Sequence, residues 1–342
     1  MNDYWGTGRK RGRSLLIVEG NHEKNKLFRL IFQCFPEIHI DMDDIWIYGT
    51  NIYVLYGDIV KEYGSGWSED DTVGIDLPFI ISKKQHPAQL CYKRDFINII
   101  LVFDYERHDT NFSEEKILEL QNYFVDGTDM GKLYINYPMI ESYQHLRSLP
   151  DEEYVNRKVS VSLRPGKEYK ALVRDETVLS AHFGFTHKVE GLLKEHFEIQ
   201  EEQIWKRCYT AILNISNVSD MDATLVDTLQ NHIGTDQLRT AKYQFKDLIL
   251  KQGYIQNGQT YWEYMRDVFK QIIYHNIRKA KHVQSGYHEI EEGQYKECFE
   301  QLDLAEILKI QNLGSRDAET GFIWVLNTCV FFVAEYNFGL VV

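Results

Sequence analysis

The sequence predicts an α/β protein, with helices on both faces of a mostly parallel sheet and a largely helical C-terminal region. Three observations carry this. A short apolar run, Ser14 to Val18, leads through Glu19-Gly20-Asn21 into a helical pattern from about His22 to Phe35. A second run, Ile97 to Phe103, has six apolar residues in seven, as suits a strand buried on both faces of a parallel sheet, and ends in alternating carboxylates. Between and after them strands and helices alternate, the order of βαβ units.

Taken in order, the basic arm 1–13, with Arg9, Lys10, Arg11 and Arg13, reads as a solubilising tail. Its resemblance to a signal peptide ends where the apolar run meets Glu19, so export is not expected. In the first unit Gly20 permits a tight turn and Asn21 suits an N-cap, which sets Glu19 at the carboxyl end of a strand beside a helix N-terminus. His22 and Glu23 read as the exposed start of that helix. Pro36 ends it. Ile45 to Tyr48, Ile52 to Tyr56 and Leu77 to Ser82 read as strands. Ser113 caps a helix from Glu114 to Phe124, with Glu114 and Glu115 in its first turn. Lys132 to Asn136 is a short strand, and Tyr137 to Leu146 leads from it into a helix. The domain expected from these elements spans 14–150.

From Asp151 nearly every periodic segment is helical, giving a second region, 151–310. It opens on a basic run, Arg157, Lys158, Arg164, Lys167, Lys170 and Arg174 against the single acid Glu168, which reads equally as a phosphate-facing patch or a solvated surface. The apolar, aromatic tail 311–342 is expected to return to the main core.

Composition bounds the function. The formal charge of −13 argues against a protein that coats nucleic acid indiscriminately, so any such binding relies on local basic patches. Five cysteines without CxxC spacing point to neither a zinc site nor a disulfide framework, and to a reducing cytoplasm. No stretch reaches the length of a membrane span.

The chemistry is concentrated in three acids. In an extended strand exit the side-chain period is two, so Asp104 and Glu106 should project together. Such a pair repels itself unless a proton or cation intervenes, and Mg²⁺, with Mn²⁺ as the alternative, is the ordinary oxygen-seeking ion. Glu19, Asp104 and Glu106 are therefore the candidate catalytic metal ligands. Glu141 is a further candidate, and His108 and Asp109 are candidates for orienting water or contacting phosphate, although Asp109 also suits a loop cap before Phe112.

Leu15-Leu16-Ile17-Val18-Glu19-Gly20 followed by Val102-Phe103-Asp104-Tyr105-Glu106 resembles the signature of the TOPRIM domain of topoisomerases, bacterial primases and several nucleases: a glutamate ending the first strand and Asp-x-Asp ending a later one. Glu106 departs from the second aspartate by one methylene. Ile140-Glu141-Ser142-Tyr143 is similar to a later element of stand-alone TOPRIM nucleases of bacterial anti-phage and abortive-infection systems, including the overcoming-lysogenisation-defect type. The resemblance covers about residues 14 to 146. It implies a Mg²⁺-dependent endonuclease acting on DNA or RNA, tRNA included, as the toxic effector of a cytoplasmic bacterial defence system with a separate ATPase partner. Paired cutting sites would suit a homodimer. The competing expectations are a non-catalytic interaction subunit with a structural cation and, ranked lower, a haloacid-dehalogenase phosphatase, whose Asp-x-Asp-x-Thr/Val motif belongs after the first strand.

Overall fold

A computed structural model of the chain describes residues 13–69, 74–291 and 293–342. All of the basic arm but Arg13 lies outside the described residues; Arg13 donates from Nε to Asp44 at 2.8 Å. The chain divides into two compact units, one of residues 1–145, 152–175 and 272–342, the other of 146–151 and 176–271. These bounds differ from a division at 150. Helical periodicity reports which face a helix buries, not which neighbours it joins, and the segments 152–175 and 272–310 belong with the sheet.

The first unit is built on a mostly parallel sheet of α/β type. In chain order its main strands are β1 (Ser14–Val18), β2 (Ile45–Ile47), β3 (Asn98–Asp104), β4 (Val125–Asp126) and β5 (Gly131–Tyr137), arranged β2-β1-β3-β5-β4. β1 pairs in parallel with β2 and β3, and β3 with β5; β4 runs antiparallel to β5. β1 is buried throughout and β3 from Ile99 onward, as their apolar runs require. Ile97, expected inside the central strand, stands outside it and is 53% exposed.

Residues 21–34 are helical, a π-helical turn (Glu23–Phe28) running into α1 (Arg29–Cys34). Two segments expected as strands are helices, α2 (Ile52–Tyr63) and α3 (Leu77–Gln85). Their short apolar runs fit either period, and capping decides. Asn51 accepts the N–H groups of Tyr53 and Val54, while Asp76 accepts that of Phe79 with Pro78 in the first turn. α4 (Glu114–Tyr123) forms as expected, with the Ser113 hydroxyl accepting the Lys116 N–H.

After a 3-10 turn at Ile140–Gln144, β6 (Lys158–Ser160) pairs antiparallel with β7 (Phe322–Trp324), and β8 (Leu326–Asn327) pairs antiparallel with β5. The tail is thereby joined to the main sheet. α5 (Lys170–Glu176) follows the basic run.

The second unit is helical: α6 (Ser180–Phe183), α7 (Phe185–Gly191), α8 (Glu202–Leu213), α9 (Val218–Leu229), α10 (Thr235–Gln252) and the first turns of α11 (Tyr261–Ser285). Phe185, Leu193, Ile212, Leu225 and Phe245 are fully buried in it. The rest of α11 belongs to the first unit, together with α12 (Tyr295–Glu300), α13 (Leu304–Gly314) and α14 (Phe331–Tyr336). Among the described residues no helix is long and apolar enough to cross a membrane.

Candidate metal centre

Glu19 follows directly on β1 and Asp104 ends β3, and the parallel register Val18↔Val102 sets those ends side by side. The Glu19 N–H donates to the Val102 carbonyl at 3.2 Å, and the Asp104 N–H donates to the Glu19 carboxylate at 3.2 Å. Glu106 joins them: one carboxylate oxygen from each of Glu19, Asp104 and Glu106 lies within 4.8 Å of the others. The donor set is all oxygen, which suits a hard divalent cation such as Mg²⁺ or Mn²⁺.

Glu106 does not reach this position by strand alternation. Its φ of +46° is left-handed, a conformation costing a non-glycine residue about 1 kcal/mol. Its neighbours hold it there. The Tyr105 hydroxyl donates to Asn312 Oδ1 at 2.6 Å, and Arg107 donates to the Ser315 hydroxyl at 3.2 Å and the Ser315 carbonyl at 3.1 Å. The Arg107 guanidinium also lies 4.3 Å from the centre of the Phe112 ring.

Burial, the Glu106 charge, and Glu23 and Asp109 more weakly, push Glu19 up to about 8 against the opposing Asp104 N–H. Asp104, buried and surrounded by Glu19, Glu23, Glu141 and Glu106, is raised well above the carboxylate range. Burial and Asp109 raise Glu106, with Lys170 opposing. Four carboxyl groups are raised together, by burial and by neighbouring carboxylates.

The fourth is Glu23. Expected at an exposed helix start, it is 4% exposed and accepts the Gly20 N–H at 2.9 Å, while Asn21, expected as the N-cap, lies inside the helix. A Cβ on Gly20 would stand 3.3 Å from that oxygen. Burial raises the pKa of Glu23 as well. The Glu19-x-x-x-Glu23 spacing, one helical turn past the strand end, was the available sequence signal.

Glu141 is buried and engaged elsewhere: His22 Nδ1 lies 3.1 Å and Lys170 Nζ 3.2 Å from the same carboxylate oxygen. Burial raises it, but His22 and Lys170 outweigh that and hold it below its ordinary value. His108 is exposed. Asp109 closes the loop, accepting from Asn51 Nδ2 at 2.6 Å and the Asn111 N–H at 2.7 Å, while its charge still reaches Glu106 and Glu19. Asn136, opposite Asp104 on β5, is buried with Nδ2 3.5 Å from Asp104 Oδ1.

The basic run does not form one patch. Arg157 is buried and donates to the His145 carbonyl at 2.6 Å, so it does not face phosphate. Lys170 joins the acidic cluster, Arg174 pairs with Asp175 at 3.3 Å, Arg164 and Lys167 are exposed, and Lys158 lies over two aromatic rings. No protein-family model matches the chain, and no curated protein and no solved structure matches it.

Proposed function

We propose that this chain is a Mg²⁺-dependent nuclease with a TOPRIM-like catalytic sheet, Mn²⁺ being the alternative ion. The observation that best supports it is the convergence of Glu19, Asp104 and Glu106, from the ends of two adjacent parallel strands, on one point with oxygen donors within 4.8 Å. Buried like charges are costly unless a cation or protons offset them, and these three residues would hold the cation. A hard divalent ion there supplies Lewis-acid charge, making water a better nucleophile and offsetting negative charge on a phosphodiester in its transition state.

The chain's own groups complete the site. The Asp104 N–H fixes the Glu19 carboxylate, and Arg107 and Tyr105 fix the turn that carries Glu106. Lys170, beside Glu141, sets positive charge at the margin to meet a phosphate oxygen. On the motif resemblance the chain acts as the toxic effector of a cytoplasmic bacterial anti-phage system with a separate ATPase partner, on DNA or RNA.

The test is cleavage of labelled single-stranded DNA, duplex DNA and bulk tRNA with Mg²⁺ or Mn²⁺, using wild type, Glu19→Ala and Asp104→Ala, each confirmed folded by circular dichroism. Metal-dependent cutting that both substitutions abolish is the expected result. If wild type cuts nothing even with an ATPase partner supplied, the acids hold a structural cation in an interaction subunit instead.

A further inference from the structure

The β6–β7 ribbon has two unlike faces. Val159 and Ile323, paired across it, are buried, whereas Lys158 and Ser160 on one strand and Phe322 and Trp324 on the other turn to the opposite side. Phe322 and Trp324 pack edge to face with centroids 5.7 Å apart and are half-buried. Lys158 Nζ stands 4.0 Å from the Phe322 ring centre and 3.8 Å from that of Trp324. Among the described residues no carboxylate lies within ion-pair distance of it, in a chain with 51 acids to 38 bases. His282 packs edge-on to Trp324 at 5.3 Å and stands 5.3 Å from His288. Burial lowers the Lys158 ammonium, and burial with the nearby cations lowers His282. Of these groups Lys158 is the one whose charge an anion on this face would meet.

The ribbon is also anchored near the acids. Asp104 is opposite Asn136 on β5, Asn136 is opposite Asn327 on β8, and Trp324 lies three residues before Asn327. Two strand spacings and three residues of extended chain place Trp324 within about 20 Å of Asp104.

We propose that the outer face of the β6–β7 ribbon is a platform for single-stranded nucleic acid, an unpaired base stacking on Trp324 or on Phe322 in place of the Lys158 ammonium, which then meets the adjoining phosphate. Aromatic rings with an unpaired cation are what an unstacked nucleotide recognises; a duplex keeps its base faces against one another and offers the ribbon only phosphate. This inference rests on the nuclease reading and adds its substrate class, a single strand or an unpaired segment.

The test is fluorescence anisotropy of labelled single-stranded RNA, single-stranded DNA and the matching duplex, titrated with the whole chain in chelator so that nothing is cut. Trp324→Leu, Phe322→Leu and Lys158→Glu are compared with wild type, each checked for fold by circular dichroism. Loss of about tenfold or more in single-strand affinity in the folded ring variants, with duplex binding little changed, is the expected result. Lys158→Glu should also make binding less salt-dependent, which Phe322→Leu should not. The RNA and DNA arms show which strand is preferred. The platform is overturned if wild type binds no single strand, or if folded Lys158→Glu and Phe322→Leu bind as wild type does. Ribbon-dependent binding without any metal-dependent cleavage overturns the nuclease reading alone; cleavage with ribbon-independent binding overturns the platform alone.

Discussion

The main-chain N–H of Asp104 donates to the carboxylate of Glu19 at 3.2 Å, so one hydrogen bond joins two acids 85 positions apart. It follows from register: with Val18 opposite Val102, β3 runs two residues past the end of β1, and both side chains leave the same end of the sheet. On the proposed function a divalent cation would sit between them.

Metal should therefore stabilise the fold through these acids. In thermal melts Mg²⁺ at a hundredfold excess over its Kd should add about 2.7 kcal/mol to wild-type stability. Asp104→Asn should lose most of that gain and, in chelator, be at least as stable as wild type, because the amide replaces a carboxyl whose ionisation burial and neighbouring acids oppose. An equal Mg²⁺ response in Asp104→Asn would sink the assignment.

The same crowding sets a pH dependence. Glu19 is raised to about 8, and Glu23, Asp104 and Glu106 move the same way. Above about pH 4.5 the unfolded chain has released protons that the folded, metal-free chain still holds. Their contribution is complete below that pH and is lost as pH rises through about 8. In chelator the chain should melt at a higher temperature at pH 6 than at pH 8.5, and Mg²⁺ should narrow or reverse the difference, because cation-bound carboxylates need no protons. A chelated melting temperature that climbs over this interval contradicts the account.

The sequence shows the sheet and the first three acids because both are local patterns. Ser14 to Val18 and Ile99 to Phe103 are apolar without interruption, and Glu19, Asp104 and Glu106 stand at or just past strand ends. α2 and α3 were hidden because five or six apolar residues satisfy both periods; Asn51 and Asp76-Leu77-Pro78 were the signals to weigh. Glu23, Asn136 and the Asn312 and Ser315 supports join the site through contacts that periodicity does not encode. Arg157 was misread because a run of like charges does not reveal which member turns inward.

The left-handed turn at Glu106 separates backbone from charge. Asn tolerates positive φ, so Glu106→Asn should keep stability within about 0.5 kcal/mol while weakening Mn²⁺ binding. Glu106→Val should weaken binding equally and also cost about 1–2 kcal/mol, because a β-branched side chain resists that φ. Electron paramagnetic resonance titration reads the metal and urea unfolding reads the fold. Equal stability of the two variants would show that the backbone strain is not borne at this residue.

Glu141 tests whether His22 and Lys170 hold a buried charge. Both partners reach the same oxygen, yet Lys170 keeps 43% and His22 26% of its side-chain surface exposed, while Glu141 keeps 4%. Solvent screens the partial exposure of the lysine, so Lys170→Met should cost about 1 kcal/mol at pH 7.5. Removing His22 as well should cost more than the sum, because Glu141 is then buried without either of its two partners. Glu141→Gln in the doubly substituted chain should recover most of the loss, since the amide carries no charge to strand. A double-mutant cycle by urea unfolding measures this directly, and a Lys170→Met penalty unchanged in the Glu141→Gln background would mean that the pair carries no coupling.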